Sequence, residues 1–170
     1  MSSFIHVYTG NGKGKTTAAF GVALRTIFNG GKVFIGQFVK SMKYSETQLE
    51  NHFTNITIEQ FGEGCFIDRK PNEKDITSAK ESLEKMKKVI SSGEYNLVIF
   101  DELTIAMYFK LLTIGEVLNT LEYKNNNCEI IITGRYAPQE LIDKADLVTE
   151  MKEVKHYYSK GVLSRKGIDC

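Results

Sequence analysis

The sequence predicts an α/β fold with a mostly parallel central sheet and helices on both faces. Three observations lead there. Short apolar runs alternate with helix-forming segments along the whole chain. Several runs are apolar at nearly every position, as in strands buried on both sides. The first, Phe4-Ile5-His6-Val7-Tyr8, leads through a glycine loop into an alanine-rich segment. Strand, glycine loop, helix is the setting of a phosphate-binding P-loop.

The elements follow in order. Thr16 to Phe28 reads as a helix with Ala19, Ala23 and Ile27 on one face, stopped by Asn29-Gly30-Gly31. Lys32 to Val39 reads as a buried strand, and Ile56 to Gln60 as a short one. Between them lies the polar stretch from Ser41 to Asn51. Phe61 to Pro71, with Gly62 and Gly64 and little periodicity, is the best candidate for a functional loop. Asn72 can cap a long helix to about Ser91, whose apolar stripe is Ile76, Ala79, Leu83, Met86 and Ile90 and which Gly93 ends. Asn96 to Phe100 is a further buried strand. Thr113 and Glu116 form a capping box before the helix carrying Val117, Leu118 and Leu121. Glu129 to Thr133 is another strand, Pro138 starts a short helix, and Leu147 to Glu150 is a last strand.

No repeat, low-complexity segment or linker divides the chain, so 170 residues are expected to form one domain, 1–170. Lys and Arg total 22 against 21 Asp and Glu, a balance that gives no nucleic-acid footprint. No apolar run is long enough to cross a membrane, and the start has no signal-peptide pattern. Cys65, Cys128 and Cys170 are too few and too dispersed for a four-cysteine zinc site or a disulfide framework. A reducing cytoplasm is the expected compartment.

The chemistry centres on Thr9-Gly10-Asn11-Gly12-Lys13-Gly14-Lys15-Thr16-Thr17. Glycines at 10, 12 and 14 let consecutive backbone N–H groups turn inward around an anion. Lys15 adds a point charge, and the following helix adds the positive end of its dipole. The Thr16 hydroxyl suits a magnesium ion that rides on phosphates. A chance glycine-rich turn is the alternative, and the strand-loop-helix context argues against it. The loop is one residue short: the glycine expected five residues before that of GKT is replaced by Thr9. A nucleoside triphosphate is therefore the ligand, while the reaction stays open.

Two further signals stand at strand ends. Asp101-Glu102 follows the apolar strand, where a carboxylate can hold the metal directly or through water; the alternative is a pair of acids capping the next helix. Which of the two touches the metal is not decided by the residues. Thr133-Gly134-Arg135 closes the next strand, on the side where open parallel sheets place their ligand crevice. Arg135 either neutralises triphosphate oxygens or pairs with Glu140 or Asp143 on the surface. Arg25, inside the first helix, reaches phosphate only over one or two turns and otherwise is a solvated helix residue.

Taken together, TGNGKGKTTAAFG, the FDE at 100–102 and the run from Thr133 through TEMKEVKHYYSKG to the KGI at 166–168 closely resemble the P-loop ATP:corrinoid adenosyltransferases. The resemblance spans nearly the whole chain, and the shortened loop is itself the family's form. It implies a P-loop RecA-like three-layer fold and a homodimer. It implies transfer of the 5′-deoxyadenosyl group of ATP to the Co(I) centre of a reduced corrinoid, with inorganic triphosphate as the leaving group. Lys15, Lys13 and Arg135 would then stabilise the departing polyanion, and the residues from Gly10 to Thr17, with Arg25, would bind ATP. Thr16 and Glu102 match the family's positions for Mg2+ (or Mn2+), and Asp101 stands beside them. A flavoprotein such as a flavodoxin would supply electrons. Co(I) carries no proton, so no catalytic base is needed among His6, His52 and His156; His156 is expected to be structural or a loop contact.

Two departures qualify the resemblance. Relatives place a Phe and a Trp in the loop after the third strand, where they help displace the lower base from cobalt; Cys65 and Ile67 occupy those positions, with Phe66 between them. Phe66 either substitutes or the corrinoid is handled differently, and Cys65 is either a cobalt ligand or a small buried thiol. Some relatives also carry an N-terminal helix over the corrinoid, whereas this sequence starts almost at its first strand. Closure is then expected from the 41–51 segment or the partner subunit. Met42, Tyr44 and Phe109 are further apolar candidates for the corrin ring, or simply core. The rival readings are an NTPase or small kinase that releases ADP, and a corrinoid-binding chaperone or switch without turnover.

Overall fold

In the computed structural model, which describes residues 3–39, 44–62 and 71–169, the strands form one sheet in the order β3-β2-β4-β5-β1-β6. Every pairing is parallel. The strands are β1 (Ile5–Thr9), β2 (Val33–Phe38), β3 (Ile56–Phe61), β4 (Leu97–Asp101), β5 (Glu129–Thr133) and β6 (Leu147–Glu150). The helices are α1 (Lys15–Phe28), α2 (Glu73–Ser91), α3 (Leu103–Tyr108), α4 (Ile114–Leu121) and α5 (Gln139–Lys144). This is the RecA-like three-layer arrangement that the sequence implies. One detail differs from the simplest expectation: β5 stands between the P-loop strand β1 and the acid-bearing strand β4.

The layers follow from the two-residue period of the strands. Val33, Ile35, Leu97, Ile99 and Ile131 face α1, where they bury Ala19, Phe20, Ala23 and Ile27. Phe34, Phe38, Val98, Phe100, Ile130 and Ile132 face the opposite side and pack with Leu83, Met86 and Ile90 of α2 and Val117 and Leu121 of α4. Each large apolar side chain removed from water contributes about 1.5–3 kcal/mol. The stripe on α2 is buried at Ala79, Leu83, Met86 and Ile90, with Ile76 half-buried.

Helix starts are where sequence chemistry forced them. Asn72 accepts from the amides of Lys74 and Asp75, while the Asp75 carboxylate accepts from the Asn72 amide. Thr113 and Glu116 make the corresponding reciprocal pair ahead of α4. Three elements were not anticipated. The six-residue α3 follows directly on β4, and single 3-10 helices cover Ser45–Asn51 and Tyr157–Lys160. Leu49 and Phe53 join the core beneath α1, so 45–51 packs as part of the body.

Candidate functional site

β1 ends at Thr9 and α1 begins at Lys15, with Gly14 in the left-handed region at the helix start. Between them the loop is braced from outside. Met151 donates its amide to the Thr9 carbonyl at 2.8 Å, and Gly12 donates its own to the Met151 carbonyl at 2.7 Å. A Cβ at Gly10 would collide with Met151, and one at Gly12 would lie 2.7 Å from the Met151 carbonyl oxygen. The glycines at 10 and 12 therefore admit a backbone as well as turning the loop, and the Gly12 amide points outward instead of inward.

Lys15 is buried, and its ammonium donates to the carbonyls of Gly10 at 2.8 Å and Gly12 at 2.7 Å. Burial lowers its pKa from the ordinary lysine value; Arg135 adds to that effect, while Glu102 and Asp101 oppose it. Charges from the ends of β4 and β5 thus act on the ammonium that the P-loop holds.

Asp101 is wholly buried at the end of β4, on the α1 face with Leu97 and Ile99. Its Oδ1 accepts from the Thr16 hydroxyl at 2.8 Å and the Thr133 hydroxyl at 2.7 Å, and its Oδ2 from the Gln37 amide at 3.1 Å. The P-loop helix is thereby tied to β4 across the intervening β5. Thr133 also accepts from the Glu102 amide at 2.9 Å, which fixes the start of α3. Glu102 is half-buried and holds a left-handed backbone at φ 59°.

Strain gathers along this edge. Val39, Glu102 and Tyr136, each just beyond a strand, have φ near 60°, a conformation that costs a non-glycine residue roughly 1–3 kcal/mol. At Tyr136 a stacked ring partly offsets it, for Tyr108 lies 4.4 Å away between centroids. The Thr133-Gly134-Arg135 turn is clamped by Thr104, whose hydroxyl donates to the Arg135 carbonyl at 2.7 Å. Among the described residues Arg135 makes no ion pair with Glu140 or Asp143; its side chain is exposed and its charge acts on Lys15. Arg25 is not brought to the loop. It sits ten residues along α1 from Lys15, about 15 Å by helical rise, and its charge acts on Tyr8.

Lys13 has an unexpected neighbourhood. Its ammonium donates to the Tyr157 hydroxyl at 2.9 Å, to the Ile168 carbonyl at 2.9 Å and to the Asp169 carboxylate. Arg165 reaches the same carboxylate at 3.1 Å and lies over the Tyr157 ring, 4.7 Å from its centroid. An ammonium has three donors, and all three are taken by the C-terminal segment. Lys13 is thus a fastening point for residues 157–169, a role its spacing in the loop did not suggest.

These features pair a short P-loop with an acid one strand removed and a basic turn at the crevice. A model of the family described as ATP:corrinoid adenosyltransferase BtuR/CobO/CobP matches residues 2–170. The chain belongs to the ATP:corrinoid adenosyltransferase family. A corrinoid adenosyltransferase of Sinorhizobium sp is 36% identical over 171 residues, covering 97% of this chain and 79% of its own. Another, of Escherichia coli strain K12, is 35% identical over 97% of this chain and 84% of its own. The corrinoid adenosyltransferase CobA of Salmonella typhimurium is 34% identical, with the same two coverages of 97% and 84%. Membership carries the reaction class with it, adenosyl transfer from ATP to a corrinoid.

For an ATP:corrinoid adenosyltransferase the remaining expectations divide plainly. Cys65, Phe66, Ile67 and Met42 lie outside the described residues. Phe109 packs against the α2-side core, and Tyr44 precedes the first 3-10 helix. His156 accepts from the Tyr158 amide at 3.0 Å and so caps the second 3-10 helix, as a loop contact should. His6 is engaged by Glu129 at 2.7 Å, at the N-terminal ends of β1 and β5 and so away from the crevice. Cys128 is buried, and burial pushes its thiol up to about 12. Gln37 and Thr104 went unread. The signal for Gln37 was available: an amide inside the apolar run VFIGQF, at a position that no surface strand would require.

Proposed function

We propose that this chain transfers the 5′-deoxyadenosyl group of ATP to Co(I) of a reduced corrinoid at the crevice between the P-loop, Glu102 and Arg135. The observation that carries the reading is the convergence of Lys15, Thr16, Asp101, Glu102 and Arg135 at adjoining strand ends, fastened by the 2.8 Å bond from Thr16 to Asp101. The cobalt electron pair forms the Co–C5′ bond, the C5′–O bond breaks, and its electrons leave on the triphosphate. A polyanion departs as a unit, so the protein's task is fixed positive charge. Lys15 supplies it from inside the loop, the α1 N-terminus adds its dipole, and Arg135 reaches from β5. The amides from Asn11 to Thr17 bind the phosphates, apart from that of Gly12, which is turned away.

The donor set fits Mg2+. This ion takes one or two protein oxygens and completes its shell with phosphates and waters, so a cluster of three acids is unnecessary, and none occurs among the described residues. By donating its proton to Asp101, the Thr16 hydroxyl turns its lone pairs outward, and Glu102 offers a carboxylate at the mouth. Thr16 and Glu102 would hold the ion, which when bound neutralises triphosphate charge. Asp101 is the buried residue that orients Thr16. Arg25 stands outside this set, and Lys13 is engaged by the C-terminal segment.

The reading includes a homodimer and a flavodoxin-type electron donor, both following from the family resemblance, in the reducing cytoplasm that the few, dispersed cysteines suggest. The test is anaerobic incubation with ATP, Mg2+ and chemically reduced cobalamin, following the cobalt spectrum and separating the phosphates. Loss of the Co(I) spectrum with one triphosphate per corrinoid is expected. ADP formed without change at cobalt would leave only a P-loop NTPase or kinase.

A further inference from the structure

Gln37, Gln60 and Asp101 occupy one row of the sheet. Gln37 is in register with Gln60 on β3 and with Asp101 on β4. Gln60 donates to Gln37 Oε1 at 3.0 Å, and Gln37 donates through Nε2 to Asp101 Oδ2 at 3.1 Å. The direction is dictated by chemistry. A carboxylate only accepts, so the Gln37 amide must turn its NH2 to Asp101, which leaves its oxygen to be met by a donor from Gln60. Gln37 and Asp101 are both wholly buried.

A buried amide costs free energy unless it is hydrogen-bonded, and here both of its polar groups are, one of them to Asp101. Here it fixes the plane of the Asp101 carboxylate. With Oδ2 held by Gln37, Oδ1 is left facing the hydroxyls of Thr16 and Thr133. Thr16 must give its proton to Oδ1 for its lone pairs to face a cation. A carboxylate free to rotate about its Cβ–Cγ bond would swing its plane, and the Thr16 hydroxyl, which follows the oxygen it donates to, would lose its fixed orientation.

We infer that Gln37 is a positioning residue for the metal–triphosphate site, acting through Asp101 on the Thr16 hydroxyl, with Gln60 as its outer support. The inference rests on the metal site proposed above and goes beyond it by placing two residues of β2 and β3 in its control. It also ties β3 to the nucleotide side of the crevice.

The test is ATP binding to the full chain by calorimetry across a Mg2+ titration, without corrinoid. Gln37→Met keeps the volume and removes both polar atoms. It is expected to raise the Mg2+ concentration at half-effect by about tenfold, the usual scale for loss of a residue that orients a metal ligand. ATP affinity without metal should stay within about twofold. Gln60→Leu, at a less buried site, should shift the same midpoint by a smaller factor and add nothing when combined with Gln37→Met, because it acts only through Gln37. A lowered melting temperature with unchanged midpoints in both single variants would overturn the inference, and Gln60→Leu decides it if Gln37→Met does not fold. Thr16→Ala separates the two levels. If it abolishes the metal effect while Gln37→Met and Gln60→Leu leave it intact, only the relay fails. If wild-type binding ignores Mg2+, the metal site fails and the relay with it.

Discussion

Lys13 and Lys15 stand two residues apart in one loop, yet their surroundings are opposite. Lys15 is buried, bonded to carbonyls of its own loop, and its pKa is lowered chiefly by loss of solvent. Lys13 is exposed, bonded to a segment more than 140 residues away, and its pKa is raised chiefly by the Asp169 carboxylate. Sequence spacing made them look alike, as two cations of a phosphate loop. The alternation of direction along the loop separates them: one residue turns into the crevice and the other turns out toward residues 157–169. One lysine is built to serve a ligand, the other to fasten the chain.

Removing each charge should therefore have very unequal results. Lys15→Ala is expected to lower kcat by about 100- to 1000-fold, the scale for losing one fixed donor to a developing anion. The folded structure should be retained, as shown by an unchanged melting profile. Lys13→Ala should lower kcat by no more than about fivefold. Comparable losses from the two, measured with pre-reduced corrinoid, would break the distinction.

Glu102→Gln comes next in size. It removes one charge from the mouth of the crevice, so the Mg2+ requirement for turnover should rise about tenfold. The same change removes a neighbour that raises the Lys15 pKa. An unchanged Mg2+ titration would move the metal away from Glu102.

The contrast also has a pH signature. Because burial holds the folded pKa of Lys15 below the usual 10.5, the ammonium is lost at lower pH than an exposed lysine would be. The alkaline limb of kcat/KM for ATP, which reports the free enzyme, should lie below that value. Lys15→Arg should move the limb upward, since a guanidinium keeps its proton. A limb unmoved by the substitution would belong to another group.

How far the site could be read beforehand follows from the same physics. Local rules carried the N-cap at Asn72, the capping box at Thr113, the α2 stripe, and the limits of β5 and β6, because each depends on residues within a few positions. Thr16, Asp101, Glu102 and Arg135 were legible because strand ends in a parallel sheet meet at one edge. Three things were not legible. The partners of Lys13 lie at the far end of the chain, where short-range patterning says nothing. The insertion of β5 between β1 and β4 is a matter of topology, which strand patterns do not encode. The Met151 backbone against Gly10 and Gly12 is a tertiary contact that looks, in sequence, like ordinary glycine flexibility.

The smallest expected effect bears on the fastening side. Asp169 is held well below the usual carboxylate range, chiefly by Lys13 and then Tyr157, with Arg165 adding to it. A carboxylate with a depressed folded pKa stabilises the fold above its unfolded value and loses that contribution only as pH falls toward the folded one. Lys13, with a raised pKa, contributes below its unfolded value and loses its contribution only as pH rises through the folded one. Both contributions are present throughout the neutral range. Trypsin cleavage after Arg165 and Lys166 should therefore proceed at the same slow rate, relative to an unstructured peptide control, from about pH 6 to 9. Asp169→Asn removes the shared anion and should speed that cleavage several-fold, while KM for ATP stays within about twofold because Lys15 is untouched. A large rise in KM on this substitution would show that Lys13 and Lys15 serve the triphosphate together, and the division between them would be lost.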